Sequence, residues 1–227
     1  MLFAPVETLR EIASRPDLVT PLVLILLVSL VTSIIVVPRV DFETAVRESM
    51  AQANPNLSEA DLDRMVRFSA AFAKVFAYAS PLLTLLILAI IAGVLLLAFR
   101  LFGGEGSFKQ AFSVTLYAWI PLVIQGIAGA GILLARGSVP AEELGNLVMS
   151  NPGFLVDMKE NPVVFALLSS IDVFTFWSLA LFVIGFSFLS RFSMRKSAAI
   201  VLTLWVVLLM IPKIGLAQFG AMRAAGA

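Results

Sequence analysis

The sequence predicts an all-α fold: an integral membrane helical bundle with five transmembrane helices. Three observations predict it. Hydrophobic residues make up 60% of the 227 residues and charged residues 14%, whereas a soluble domain carries about 45–50% apolar and about 25% charged residues. Mean hydropathy is +1.00. The charges also gather at the edges of long apolar intervals, and a helix needs about 20 predominantly apolar residues to cross a bilayer.

The elements follow in chain order, within a single domain, 1–227. Residues 1–17 form a cytoplasmic interfacial segment. Pro5 suits a first helical turn. Val6, Leu9, Ile12 and Ala13 recur at helical spacing, with Glu7, Arg10 and Glu11 opposite. Such a stretch either lies on the leaflet or packs on the other helices. The first span covers about 18–38, between Asp17 and Arg39. Its apolar run is too long for a signal peptide, and Val36-Val37-Pro38-Arg39 offers no small-residue cleavage site, so the mature protein is expected to keep it.

The outer loop 39–77 reads as a helical hairpin. Phe42, Val46 and Met50 share one face, and Asn54-Pro55-Asn56 ends that helix. Ser58 then caps a second helix, with Asp61 in a capping-box-like position. Leu62, Met65, Phe68, Phe72 and Phe76 give it an apolar face leading into the second span, 78–100, with a kink expected at Pro81. This hairpin is either a cap over the bundle or a partner-binding surface.

Gly103-Gly104-Glu105-Gly106 makes a tight turn and matches neither phosphate-binding glycine motif. The third span covers 111–135. The outer loop 136–162 carries a helix start at Pro140-Ala-Glu-Glu-Leu and ends it at Asn151-Pro152-Gly153. The fourth span, 163–189, contains one charge, Asp172. The fifth, 197–219, contains Lys213 near one end, where the ammonium can snorkel to the head groups.

Basic residues set the orientation. Arg10, Arg15, Arg100, Lys109, Arg191, Arg195 and Lys196 fall in the three short segments on one side. Their density is about twice that of the two outer loops, which places the N-terminus in the cytoplasm and the C-terminus outside.

Function is first bounded by exclusion. The chain has no Cys and no His. That removes disulfides, thiolate zinc sites, Cys nucleophiles and imidazole acid–base work. The net charge of +1, with no basic block, argues against nucleic acid. The paired acids Asp61 with Asp63 and Glu142 with Glu143 lie on solvated loop helices. No catalytic, cofactor-binding or metal-binding residues are expected, and the chain is not expected to be an enzyme.

Asp172 is the ionisable group that marks a functional hypothesis by default. Ser169, Thr175 and Phe176 fall on its helical face, and Gln125 and Thr203 are candidate polar neighbours. Asp172 is read as a structural anchor, an interfacial carboxylate or a transport group. Arg100, Lys109, Arg191, Arg195 and Lys196 are candidate contacts for anionic lipid head groups.

Three stretches carry a resemblance: Phe3-Ala-Pro5 through Arg15-Pro16; Gly104 through Pro121, with its Phe-x-x-Ala-Phe run; and Ile171-Asp-Val-Phe-Thr-Phe-Trp177, followed by Gly185 and Arg195-Lys196-Ser-Ala. In this order, with five spans, the chain resembles the Yip1 family of multi-spanning membrane proteins. The resemblance implies a five-span helical bundle with a cytoplasmic N-terminus, often self-associating. It implies no catalytic residues, and it makes Asp172 and Trp177 packing or anchoring positions. Eukaryotic relatives are associated with Rab-type GTPases and vesicle traffic. The short leader here looks more like the prokaryotic members.

The function expected is therefore a membrane organisation or trafficking-type scaffold in a prokaryotic inner membrane. It would act through membrane lipids, a homo-oligomer or an unidentified protein partner. The alternative is a small oligomeric transporter or channel for ions, protons or lipids that uses Asp172.

Overall fold

A computed structural model describes residues 4–53, 56–158 and 160–225. Phe3, Asn54, Pro55 and the side chain of Glu142, which entered the sequence reading, lie outside what is described. Among the described residues, five helical stretches are long and apolar enough to cross a membrane: Val19–Arg39, Glu59–Leu101, Phe108–Arg136, Val173–Ser190 and Met194–Gly220.

Helix α1 (Pro5–Ser14) starts at a proline and does not lie free on a surface. Leu9, Ile12 and Ala13 are buried in the main core with residues of the second, third, fourth and fifth spans. Of the two arrangements open to its amphipathic pattern, the fold adopts the packed one. Burying Leu9 and Ile12 removes the apolar stripe that would otherwise insert in a leaflet.

Helix α2 (Val19–Val36) leads into a two-residue strand β1 (Val40–Asp41) and then α3 (Phe42–Ala53). Helix α4 (Glu59–Leu101) has 43 residues. At 1.5 Å per residue it is about 65 Å long, roughly twice the hydrocarbon thickness. Ser58 caps it, its hydroxyl accepting from the Asp61 amide at 3.2 Å. It runs unbroken through Pro81.

The extension of α4 pairs with α3. Arg47 bridges to Glu59 at 3.4 Å and to Asp63, and Lys74 to Glu43 at 3.4 Å. The buried face is Leu62, Val66 and Ala70. Of the apolar face expected from sequence, only Leu62 is buried. Met65, Phe68, Phe72 and Phe76 are exposed, Phe68 at 75%. One short partner helix covers one stripe, and small Ala70 lets it approach closely, so the bulky stripe is left outside.

The turn after α4 uses positive φ at Gly103 (85°) and Gly106 (126°), which glycine adopts without a Cβ penalty. Helix α5 (Phe108–Ala118) starts with a capping box between Ser107 and Gln110. It turns at Trp119 into α6 (Ile120–Arg136). Pro121 lacks an N–H for the carbonyl four residues back, so the third span is two helices with a joint. Strand β2 (Val139–Pro140) pairs in parallel with β1, Val40 opposite Val139. The helix start expected at Pro140 is only a 3₁₀ turn, Ala141–Asn146.

The hydrophobic block at 163–189 is not one continuous helix. It divides into α7 (Pro162–Leu168) and α8 (Val173–Ser190). Ser170 Oγ turns back to the Ala166 carbonyl at 2.7 Å, and Asp172 takes the N-cap of α8. Short polar side chains that bond the local backbone compete with helix continuation. The fifth span comprises α9 (Met194–Trp205), a π-helical turn (Val206–Met210) and α10 (Ile211–Ala225). The π turn lies just before Pro212, whose missing N–H unsettles the regular ladder.

The bundle core is built by α1, α4, α5, α8 and α9, with Phe99 and Phe186 fully buried and 5.0 Å apart. Helix α2 closes a second cluster of Ile25, Leu88 and Leu116. Helix α10 packs on α7.

Candidate functional site

The break between α7 and α8 gathers the polar groups of one end of the bundle. Asp172 has extended backbone (φ −112°, ψ 135°) and caps α8, Oδ1 accepting from the Thr175 amide at 2.9 Å. Its other oxygen accepts from the Gln125 side-chain amide at 3.1 Å and from the Ser150 hydroxyl. Gln125 also donates to Ser150 at 3.1 Å. The carboxylate is 4% exposed and faces the bundle, not lipid. A buried polar group is tolerated where hydrogen bonds replace water, and three donors do so here.

Several sequence-derived neighbours are placed differently from a continuous-helix reading. Ser169 does not share a helical face with Asp172, because the helix stops between them. Its hydroxyl instead accepts from Lys213 Nζ at 2.8 Å. Thr175 serves Asp172 through its backbone N–H. Phe176 packs on Trp205, ring centroids 5.9 Å apart. Trp177 is 37% exposed on α8. Thr203 is exposed on α9. Ser150 was missed because a loop serine has no periodicity to expose it. Two signals for the cap were available: Asp is a preferred N-cap residue, and the Ser169-Ser170 doublet precedes it.

Lys213 marks a second feature. Its ammonium donates to Ser169 and, at 3.3 Å, to Ser170. It forms no ion pair among the described residues. Beside it a cavity of about 530 Å³ separates α4, α8 and the fifth span. Its polar end is Lys213, Ser169, Ser170, Thr175 and Ser178. Its body is apolar, with Ile90, Val94, Phe182, Leu204 and Leu208 on the walls and Trp119 and Trp205 between them. The Ser178 hydroxyl is buried with no hydrogen-bond partner among the described residues.

The opposite end carries the basic residues. Arg100 Nη2 donates to the Gly106 carbonyl at 2.7 Å. Arg191 takes a left-handed backbone (φ 55°), with Nε 3.5 Å from Glu105. Lys196 Nζ donates to the Phe102 carbonyl at 3.0 Å and sits 3.5 Å from the Phe192 ring centroid. Lys109 and Arg195 are exposed at the same end. Three of these five therefore hold loop backbone or an acid and contribute to the turns as well as to the surface.

Two carboxylates outside the spans are held below their ordinary value of 3.8. For Asp17 the causes are hydrogen bonds from Thr20 and then from the Tyr117 hydroxyl, at 2.9 Å. For Asp41 the cause is the Thr44 side chain, 2.7 Å away. Among the described residues, no three acidic groups cluster as metal ligands would.

A family model described as the Yip1 domain matches residues 1–213. No curated protein and no solved structure matches the chain.

Proposed function

The chain belongs to the Yip1 domain family and is an integral, multi-pass membrane protein; from that premise we propose that it is a non-enzymatic membrane organiser, a scaffold acting through lipid, self-association and partner contacts. The N-terminus lies in the cytoplasm, the C-terminus outside, and the membrane is a prokaryotic inner membrane. The basic end formed by Arg100, Lys109, Arg191, Arg195 and Lys196 supports that orientation.

One observation carries the contact role. Phe68, Phe72 and Phe76 form a continuous aromatic ridge on the α4 extension, the first pair stacked and the second tilted, and are exposed at 75%, 56% and 49%. A ridge of this kind beyond the span, left uncovered by α3, is the type of apolar surface that associates with other proteins. The transport alternative depended on Asp172. With Thr175, Gln125 and Ser150 all donating to it, that carboxylate is engaged as an anchor, which favours the scaffold.

Native mass spectrometry of the full chain released from lipid nanodiscs tests the proposal. An oligomer or a reproducible protein partner is expected, weakened by Phe68→Ser with Phe72→Ser. A bare monomer, repeatedly recovered with no partner and no specific lipid, would overturn it.

A further inference from the structure

The cavity beside Lys213 has the chemistry of an amphiphile site. It runs along the fifth span from a cation and hydroxyls at one end to aliphatic and aromatic side chains at the other. Lys213 lies roughly 28 Å along the helix from Met194, close to the hydrocarbon thickness, so its ammonium falls near head-group depth. From Lys213 to Val201, deep in the groove, is roughly 18 Å, about the depth of one leaflet. The side towards α4 is open: Ile87, Ile90, Leu208 and Leu209 line the groove and are each about half exposed. Helix α10 packs on α7 instead of closing that side.

Among the described residues, one polar group at this end lacks an ion-pair partner and another lacks a hydrogen-bond partner. Lys213 contacts hydroxyls, while the one nearby carboxylate that acts on it, Asp172, is taken up by Thr175, Gln125 and Ser150. Ser178, 3% exposed, lines the groove, and its buried hydroxyl has no hydrogen-bond partner among the described residues. A cation at the polar end calls for an anion, and the apolar body calls for a hydrocarbon chain.

We propose that this groove holds one acyl chain of an anionic membrane lipid, with its phosphate taken by the Lys213 ammonium at the polar end, beside Ser169 and Ser170. The site specifies the lipid contact within the scaffold reading and rests on it only for the placement in a bilayer. It is separate from the basic end, which meets head groups on the other side.

Trp119 and Trp205 line the groove and Trp177 does not, so brominated acyl chains report occupancy by quenching. The full chain carrying Trp177→Phe is reconstituted in phosphatidylcholine vesicles. Dibrominated phosphatidylglycerol or dibrominated phosphatidylcholine is added at equal mole fraction. The anionic lipid is expected to quench with about fivefold higher apparent affinity, one charge's worth at a membrane surface. Lys213→Gln should abolish that preference and Lys213→Arg should keep it. Soluble glycerol phosphate should not displace the lipid.

Equal quenching by the two lipids overturns the proposal. So does an unchanged preference in Lys213→Gln, or displacement by glycerol phosphate, which would reduce the site to a head-group site. If Lys213→Gln does not insert, the comparison of the two lipids on Trp177→Phe decides alone. An oligomer without lipid preference would sink the groove and leave the scaffold. A lipid-selective monomer would keep the groove and remove self-association.

Discussion

Gln125 on α6 donates its side-chain amide to the Asp172 carboxylate at 3.1 Å, tying the third span to the start of the fourth. The bond turns an apolar helix end into a fixed joint. It predicts that Asp172 acts through stability. Asp172→Ala removes the cap, worth about 1 kcal/mol. It also takes one acceptor away from the Gln125 amide and the Ser150 hydroxyl, which keep only each other and the Val148 carbonyl, at about 1 kcal/mol or more. Asp172→Asn keeps an acceptor for the Thr175 amide and should lose about 1 kcal/mol. Thermal unfolding in detergent measures both. Equal stability of Asp172→Ala and wild type would contradict this role.

Gly185 is the point where three helices meet. A Cβ placed there would collide with Val114 on α5 and come within 3.4 Å of Leu9 on α1. Gly185→Ala should therefore cost about 1–3 kcal/mol by overpacking. The same assay reads it, and Val114→Ala in the Gly185→Ala background should recover part of the loss. No loss in the single variant would mean that α1 is not seated against α8.

Asp17 gives the pH response of the α1 end. Its carboxyl is held below 3.8 by bonds from Thr20 and Tyr117 that favour the charged form. A carboxylate whose pKa is depressed on folding contributes stability above its unfolded value. The contribution is lost as pH falls through the lower folded value. Acidification below about pH 3.8 should destabilise the wild type more steeply than Asp17→Asn. Unfolding midpoints compared on either side of that pH decide it, and identical slopes would count against the Tyr117 contact.

The orientation has a direct test, since the chain has no Cys to interfere. Lys109→Cys and Glu160→Cys place single thiols at exposed positions at opposite ends. A membrane-impermeant thiol reagent on intact cells should label Glu160→Cys at once. Lys109→Cys should react only after permeabilisation. The reverse pattern would invert the topology.

Much of the architecture was legible because lipid forces it. Charge-free intervals longer than a bilayer is thick must be helices, and the spans read between Asp17 and Arg39 and between Lys74 and Arg100 lie within helices of the fold. Local caps were legible for the same kind of reason: Ser58 satisfies orphan N–H groups wherever α4 lies. The site was less so. Asp172 stood out as a charge among apolar residues, yet its helical face could not be read, because Ser169 and Ser170 end α7 before it.

What the sequence by itself determined is the class of molecule, the number of spans and the end at which basic residues gather. These follow from transfer energies and local backbone chemistry, which need no neighbours. Tertiary structure alone decided that α1 is inserted beside Gly185, and that Leu62, Val66 and Ala70, not the phenylalanines, meet α3. It also decided that Ser150 and Gln125 converge on Asp172, while Lys213 bonds Ser169 at the polar end of an open groove. Those are contacts between residues distant in the chain, set by which surfaces fit, and periodicity along one helix carries no record of its partner.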